Sequence, residues 1–443
     1  MIGCHFGRNF QVTVAGGSYQ EGLSVLIQGH PPGMKITEKE IYGDLLLRKP
    51  GADELSSPRK EPDLPVMYSG FNVEDTVQGA GNKGLTNGTP LAILIPNLDR
   101  HFKHIKEYMD TNRTPRPGHA SYATFQKYGE NDDAIGAGFF SGRYTSTIVA
   151  AGYIAKKILK ACGIEVFSYI KELASVRCSE VDYGKAFKYT EDYKHFRRDY
   201  DAFYQDIYNG GRITDDMRFL EKTAVLGQIE KQIDQIRGKA SPIKPEEIKE
   251  KYGVHHILNC PDIEVSQEML KAANKISKTG DSCGGVVEVV VTGAPAGLGE
   301  PAFDKLDAEL GKLMGIGAVK GVEIGAGFGV KDMTGFQCND QMRSKNGKVV
   351  FDSNNAGGIT GGISTGQPIV TRLAVKPTPT IDKSQHTIDK YTLENKELAA
   401  ITRRDPTITG RIWPVAENYT AMVILDMLMA HYGYQTLKDK YNK

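Results

Sequence analysis

Three glycine-rich blocks contain the residues best suited to forming a binding site. They are Asp-Ser-Cys-Gly-Gly (281–285), Gly-Ala-Pro-Ala-Gly-Leu-Gly-Glu-Pro (293–301) and Asn-Asn-Ala-Gly-Gly-Ile-Thr-Gly-Gly-Ile-Ser-Thr-Gly (354–366). Glycine is favoured where the backbone takes a positive φ or approaches another group too closely for a Cβ atom. Because these blocks stand beside strong strand formers, they predict a backbone that closes tightly around a ligand. For any single Gly-Gly pair, a tight turn in a large sheet protein is the favoured interpretation.

Two polar loops carry ionisable side chains that suit such a site. The stretch 111–138 contains Pro-Arg-Pro-Gly-His, which ends at His119. The stretch 50–65 is predicted to be a surface or active-site loop, and its charged residues are Arg59, Lys60, Glu61 and Asp63.

The elements around these loops have clear local signals. Strands are predicted at 10–14 and 23–27, and the turn or ligand loop 15–20 separates them. Thr37 and Glu40 form a capping-box pattern that predicts a helix ending at Pro50-Gly51. A helix is predicted from Ser141 to Cys162, and its C-terminal end, which carries Lys156, is expected to be solvated. Ser266 is predicted to be the N-cap of a later helix. Strands alternating with helices favour an α/β or α+β sandwich.

The segment 183–255 differs from the rest, since it is rich in Lys, Asp, Tyr and Gln. Its apolar residues at helical spacing predict an amphipathic helix, and they are Phe219, Leu220, Leu226, Ile229, Ile233 and Ile236. A structural or subunit-contact role is favoured here, and a lid over the active site is the alternative.

Composition narrows the class of protein. The chain has 443 residues and a net charge of +1, without the basic stripe of a nucleic-acid binder. Its six cysteines are scattered, with no Cys-x-x-Cys pair and no histidine at zinc-ligand spacing, so no metal site is expected. No segment approaches the length of a membrane span. These features predict a soluble, cytoplasmic protein.

The motifs, taken in order, resemble chorismate synthase. They are the run 281–301 with its Val-rich centre, Val-Lys-Gly-Val-Glu-Ile-Gly (319–325), Asn-Ala-Gly-Gly-Ile-x-Gly-Gly-Ile (355–363), Lys-Pro-Thr-Pro-Thr-Ile (376–381), Arg-Pro-Gly-His (116–119) and Tyr-Gly (128–129). The similarity runs nearly end to end, except in 183–255, which is longer than the family usually carries. We therefore expect a single domain over 1–443 with a partly helical insertion at 183–255.

The resemblance implies a fold, a reaction and a cofactor. The fold would be an α+β type, a β-α-β sandwich with helices between antiparallel sheets, assembled as a homotetramer. The reaction would be the 1,4-elimination of phosphate from 5-enolpyruvylshikimate 3-phosphate to give chorismate, a shikimate-pathway step that needs reduced FMN without net redox change. Residues carried over to the flavin side are His119, Ser141, Gly142 (alanine in the family), Ala318, Lys376, Thr380, Arg403 and Asp405.

These residue types suit that chemistry. Removing an unactivated ring hydrogen requires a base beside the flavin, and Asp405 is the candidate, with a helix N-cap as its alternative role. Lys376 and Arg403 can neutralise an electron-rich reduced flavin and its phosphate. His119 suits proton transfer because imidazole titrates near neutrality.

The sequence departs from the family pattern on the substrate side. The family's Gly-Glu-Ser-His-Gly loop is Gly-Gly-Ser-Tyr-Gln here, so Tyr19 stands at the position of a catalytic histidine, either as a repurposed acid or as a packed aromatic. Family arginines are replaced by Lys49, Glu54, Phe139 and Ile148, and Phe139 is expected to be a pocket wall. The candidate substrate-binding residues are Ser18, Arg48, Lys49, Glu54, Arg59, Phe139, Arg143, Arg404 and Arg411.

Three functions remain open. The first is an FMN-dependent lyase of this type with an altered, less anionic substrate, which the clustered losses favour. The second is a true chorismate synthase whose lost residues are replaced from elsewhere. The third is a flavin-binding paralogue without turnover, against which the joint retention of Asp405, His119, Arg403 and Lys376 argues. No dinucleotide-binding Gly-x-Gly-x-x-Gly pattern is visible, so an external flavin reductase is expected.

Overall fold

Two five-stranded antiparallel sheets form the outer layers of the molecule. The computed structural model describes residues 2–49, 55, 61–99, 105–106, 112–238, 250, 258–400 and 405–441. The first sheet has the order β1-β2-β3-β5-β4 and the second β7-β6-β8-β14-β9. The strands of the first sheet are β1 (His5–Phe6), β2 (Gln11–Gly16), β3 (Gly22–Gln28), β4 (Val66–Ser69) and β5 (Leu91–Pro96). Those of the second are β6 (Glu165–Leu173), β7 (Val176–Arg177), β8 (Gly285–Thr292), β9 (Val319–Ile324) and β14 (Ile369–Val375).

Three antiparallel hairpins extend from this framework. They are β10 (Met342–Lys345) with β11 (Lys348–Phe351), β12 (Ile359–Thr360) with β13 (Ile363–Ser364), and β15 (Gln385–Ile388) with β16 (Asn395–Leu398).

Some of the helices form a layer between the two sheets. The helices are α1 (Glu38–Arg48), α2 (Ser121–Tyr128), α3 (Thr145–Ala161), α4 (Tyr183–Tyr200), α5 (Phe219–Gly238), α6 (Ile263–Lys278), α7 (Leu306–Gly311), α8 (Gly335–Cys338) and α9 (Thr409–Tyr441). Helix α3 packs on α1 and α9, and it contacts β3 of one sheet and β6 of the other. The predicted α+β sandwich, with helices between antiparallel sheets, is thereby confirmed.

The valine-rich strand β8 is buried on both faces, which explains its unbroken apolar sequence. Val287, Val289 and Val291 belong to the main core with the helix layer. On the opposite face, Val290 packs with Ala186 at the start of α4. Helix α4 therefore covers part of the outer surface of the second sheet.

Local capping signals set several helix starts. Thr37 accepts from the Glu40 amide at 3.2 Å and completes the predicted capping box of α1. The Ser266 prediction was wrong, because Asp262 caps α6 by accepting from the Val265 amide at 3.1 Å. Ser141 caps a short 3-10 turn, and α3 itself begins at Thr145.

The segment 183–238 docks along α1 through buried ion pairs. Lys222 of α5 lies 2.6 Å from Glu38 at the start of α1. At the other end of α1, Asp201 pairs with the Lys49 ammonium and accepts from the Tyr42 hydroxyl at 3.0 Å. The amphipathic helix expected at 219–236 is α5, and most of 239–257 lies outside the described residues.

Two lysines of α3, Lys156 and Lys157, are paired with carboxylates, which corrects the expectation for this helix end, whereas Lys160 is 68% exposed as expected. Lys156 pairs with Asp44 of α1 and with Glu417 of α9, and Lys194 of α4 also reaches Glu417 at 2.8 Å. A four-helix ion cluster therefore lies inside the helix layer. None of the helices in the described parts of the chain combines the length and apolarity needed to cross a membrane.

Candidate functional site

The loop after β2 meets the glycine turn 136–138, and this contact positions Tyr19. The Ser18 amide donates to the Gly138 carbonyl at 3.2 Å. A Cβ atom on Gly136 would lie 2.3 Å from Cε2 of Tyr19, so the phenol ring packs directly on this glycine, whose φ is +59°. The Ser18 hydroxyl is buried without a hydrogen-bond partner among the described residues.

Phe139 continues the same turn as part of an aromatic wall. Its ring stacks on Tyr144 with centroids 5.7 Å apart and 24° between planes. The Tyr144 hydroxyl donates to the Gly315 carbonyl at 2.8 Å and accepts from the Gly317 amide at 3.1 Å. The wall is therefore linked to the chain that leads into Ala318.

Ser141 and Gly142 lie between this wall and α3. The Ser141 hydroxyl accepts from the Arg143 amide at 3.1 Å. A Cβ atom on Gly142 would meet no atom within 4 Å, so the alanine that the family carries at this position would fit without a clash.

Two candidate substrate-side arginines converge on a single carboxylate that the sequence did not single out for this role. Arg48 at the end of α1 and Arg143 before α3 each donate to Asp63 at 2.6 Å, one to each carboxylate oxygen. All three side chains are buried. Asp63 takes a φ of +57°, a left-handed conformation that is costly outside glycine and is retained where surrounding contacts hold it.

Glu61 balances the second positive charge of this cluster. It lies 3.3 Å from Arg143 and accepts from the Leu98 and Asp99 amides at 3.1 and 3.0 Å. Burial raises the pKa of Glu61, and Arg143 opposes that shift. Burial also lowers the pKa of Arg48 to about 10, although Asp63 acts in the other direction. Two guanidinium groups thus face two carboxyl groups.

Arg411 connects this cluster to Asp405. Its Nε donates to the Arg48 carbonyl at 3.0 Å, and its Nη1 lies 3.8 Å from Asp405 Oδ2. The other Asp405 oxygen, Oδ1, is buried and has no hydrogen-bond partner among the described residues. Asp405 lies four residues before α9 begins at Thr409, outside the N-cap position considered as its alternative role.

The first glycine block supports the backbone at Asp405. The Thr378 hydroxyl donates to the Asp405 carbonyl at 2.6 Å, and Ser282 donates to the Thr378 carbonyl at 2.7 Å. The Cys283 amide donates to the Pro406 carbonyl at 2.9 Å. Thr380, two residues beyond Thr378, is partly buried. The structure thus brings the first glycine block, Thr378 and Asp405 together.

The other two glycine blocks pack on each other. A Cβ atom on Gly299 would lie 2.2 Å from the Gly362 carbonyl oxygen. The Leu298 amide donates to the Ser364 hydroxyl at 2.8 Å. These glycines permit close contact between two chain segments, as in the tight-turn interpretation.

His119 lies on a partly buried loop beside cationic groups. Its Nδ1 accepts from the Ala120 amide at 3.0 Å, and its Nε2 lies 3.4 Å from Arg116 Nη2. Burial, together with Arg116 and Lys376, lowers the pKa of His119 to about 4. The imidazole is therefore neutral at pH 7.

Lys376 joins the His119 loop to Ala318. Its ammonium donates to the Gly118 carbonyl at 2.5 Å, and its amide donates to the Ala318 carbonyl at 2.9 Å. Ala318 holds a left-handed φ of +72°. Burial and the nearby Lys320 lower the pKa of Lys376.

The structure does not bring every predicted residue into this region. The Lys49 ammonium pairs with Asp201 and lies 4.8 Å from the centroid of the Phe203 ring, away from direct contact with Asp63. Glu54, Arg59, Arg403 and Arg404 lie outside the described residues. The sequence did not predict that Asp63 and Asn97 are partners of Arg143. The presence of two acidic residues, Glu61 and Asp63, in one polar loop was the available signal.

Comparison with known proteins identifies the family. The chorismate synthase family model matches residues 10–429. Curated relatives named chorismate synthase include that of Acetivibrio thermocellus, 37% identical over 99% of this chain and 98% of its own, and that of Methanosarcina barkeri, 37% identical over 97% of each. That of Pyrococcus abyssi is 34% identical over 96% of this chain and 97% of its own.

A solved chorismate synthase structure has the same fold, with a TM-score of 0.64 and 23% identity over 99% of this chain and 97% of that one. The motif order, the sandwich fold and these matches agree, and the chain belongs to the chorismate synthase family.

Proposed function

We propose that this chain is a carbon–oxygen lyase of the chorismate synthase type that uses reduced FMN for a 1,4-elimination. Its substrate would be a cyclohexene related to 5-enolpyruvylshikimate 3-phosphate but altered and less anionic. The observation that carries the altered substrate is the convergence of Arg48 and Arg143 on Asp63. With Glu61 beside them, these cations have counter-ions already within the protein.

The described residues fit a bound flavin. The hydroxyl of Ser18 and one oxygen of Asp405 are buried without partners, so both can hydrogen-bond to a ligand. Lys376 and the neutral His119 would supply charge and hydrogen bonds to the flavin. Residues proposed to hold FMN are His119, Ser141, Gly142, Ala318, Lys376, Thr380, Arg403 and Asp405. Reduced FMN would supply an electron-rich ring system beside the substrate.

The charge of each side chain indicates the role that it would have in proton transfer and hydrogen bonding. Asp405, with Arg411 3.8 Å away, would accept a proton from the substrate ring. His119 is neutral at pH 7 and would act as a hydrogen-bonding and proton-transfer group. A phenol has an ordinary pKa about 3.5 units above that of an imidazole, so Tyr19 would favour donating a hydrogen bond.

The residues on the substrate side favour a substrate with fewer anionic groups. A charge-assisted hydrogen bond to a phosphate is worth about 1.5–3 kcal/mol. Phe139 offers an aromatic face where the family has an arginine, and Lys49 is engaged by Asp201. Each change weakens attraction for a dianion.

The family's own reaction is the second candidate. Identity of 37% to a protein named chorismate synthase, over nearly the whole of both chains, favours it. Under this proposal Arg48 and Arg143 would exchange Asp63 for the substrate phosphate on binding. A homotetramer, a cytoplasmic location and an external supply of reduced flavin are proposed with either candidate.

A double variant separates the candidates. Tyr19→His with Phe139→Arg restores two residue types of the family, and Tyr19→Phe with Phe139→Leu is the matched control. Under anaerobic conditions with reduced FMN and 5-enolpyruvylshikimate 3-phosphate, we expect the restoring pair to raise chorismate formation at least about tenfold, since one regained contact is worth about 1.4 kcal/mol or more. No gain over the control would contradict the altered-substrate proposal.

A further inference from the structure

The hairpin β15–β16 connects the two flavin-side segments in sequence. It begins a few residues after Lys376–Thr380 and ends a few residues before Asp405. It also docks on the loop that carries His119, over residues 112–125. The hairpin is therefore placed to fix the histidine relative to Lys376.

Four hydrogen bonds hold the start of that loop, and one of them runs from the Lys390 ammonium to Asn112 Oδ1 at 3.0 Å. Arg113 Nε donates to Asp389 Oδ2 at 3.0 Å. The Lys390 amide donates to the Arg113 carbonyl at 3.0 Å, and the Thr387 hydroxyl donates to the Pro115 carbonyl at 2.5 Å. These contacts fix both the side chain and the backbone of the loop four to seven residues before His119.

Asp389 is itself held in place. Its side chain is only 9% exposed, and its Oδ1 accepts from the Tyr391 and Thr392 amides at 2.9 and 3.2 Å. The hydrogen bond from Arg113, followed by those two amides, lowers the pKa of Asp389 to about 2. The carboxylate therefore stays charged and oriented across the working pH range.

The far end of the loop is held by the segment that precedes the hairpin. The Lys376 ammonium binds the Gly118 carbonyl at 2.5 Å. A Cβ atom on Gly118 would lie 3.2 Å from Pro379 Cβ, so the two segments are in close contact. Residues 113–118 are thus fixed at both ends by one continuous stretch, 376–390.

We infer that Asp389 is a positioning residue for His119, acting through Arg113 and the hairpin β15–β16. This inference rests on the proposed function for the role of His119 in the reaction. Asp389 would keep the loop closed over the imidazole, so that His119 stays partly buried between Arg116 and Lys376. Breaking its bond to Arg113 should let water reach the ring.

The titration of His119 tests this without any substrate. We would follow the His119 Cε1 resonance by NMR in ¹³C-histidine-labelled full-length protein, assigned with His119→Gln. The wild-type midpoint is expected at about 4, from burial beside Arg116 and Lys376. Asp389→Asn and Thr387→Val should move it by one unit or more toward 6.5, a change of tenfold or more in the proton dissociation constant.

Two further variants make the test specific. Arg113→Lys keeps a cation able to pair with Asp389 and should retain a midpoint near that of the wild type. Asp352→Asn breaks the Arg343–Asp352 pair, 2.6 Å long, on the β10–β11 hairpin and should leave His119 unchanged.

The inference would be overturned by an unchanged His119 midpoint in folded Asp389→Asn and Thr387→Val protein. It would also be overturned by an equal shift in Asp352→Asn, which would indicate general loosening. Because the titration needs no turnover, an absence of lyase activity would refute the proposed function alone.

Discussion

Asp63 is the one carboxylate that both Arg48 and Arg143 contact at 2.6 Å, while Glu61 lies 3.3 Å from Arg143. Asp63→Asn would leave two buried guanidinium groups short of a carboxylate. Removing one partner of a buried ion pair typically costs about 3–5 kcal/mol. We expect a loss of that size in the free energy of unfolding, measured by urea denaturation.

An exposed pair gives the matched control for this substitution. Lys331 and Asp332 lie 2.7 Å apart with side chains about 70% exposed, and Asp332→Asn should cost no more than about 1 kcal/mol. An equally small effect of Asp63→Asn would contradict the shared counter-ion.

The low pKa of His119 makes a stability prediction with a definite sign. The folded protein keeps this imidazole neutral down to about pH 4, whereas the unfolded chain takes up the proton near pH 6.5. The neutral imidazole therefore contributes on the order of 3 kcal/mol to the free energy of unfolding above about pH 6.5. This contribution is lost as the pH falls to about 4. As pH falls through that range, the unfolding free energy of the wild type should decrease relative to that of His119→Gln; parallel curves would argue against a buried neutral histidine.

At this scale, sequence could identify residue types but not their pairing. The Arg-Pro-Gly-His pattern pointed to His119, and the Ser-Gly-Arg run pointed to Arg143. The bond between Arg143 and Asp63 joins residues 80 positions apart, and the fold alone creates it. The direction of Lys49, toward Asp201, depends equally on packing.

At the scale of elements, local signals were sufficient where the chain itself supplies the contacts. The capping box of α1 involves residues three apart, so it was readable. The cap of α6 was misplaced because Asp262 and Ser266 both suit an N-cap, and only the preceding chain direction decides between them. Lys156 was taken as solvated because its partners, Asp44 and Glu417, come from two distant helices.

The contact of the 183–238 segment with α1 predicts that Asp201 stabilises the folded protein. Asp201→Asn would remove the carboxylate that holds Lys49 and Tyr42, three groups that are largely buried. We expect unfolding to become easier by about 3–5 kcal/mol. In the same segment Arg218→Met breaks an exposed pair with Glu221 and should change stability by no more than about 1 kcal/mol. Equal effects in thermal denaturation would show that Asp201 is not a docking contact.

At the scale of the whole molecule, the sandwich could be predicted because its motifs occur in family order along nearly the whole chain. The position of the helices at 183–238 could not be predicted, since their docking on α1 depends on ion pairs between segments far apart in sequence. Within this fold Lys376 holds the loop at Gly118, and Arg48 is paired with Asp63 inside the protein.

Turnover of the family substrate by the wild-type protein tests the altered-substrate proposal most directly. The chain and its Acetivibrio thermocellus relative would be supplied anaerobically with reduced FMN and 5-enolpyruvylshikimate 3-phosphate, and chorismate and phosphate would be measured. Two weakened charge-assisted contacts predict FMN binding with turnover roughly 100-fold or more below that of the relative. Turnover within about tenfold of the relative would contradict the account and identify this chain as a conventional chorismate synthase.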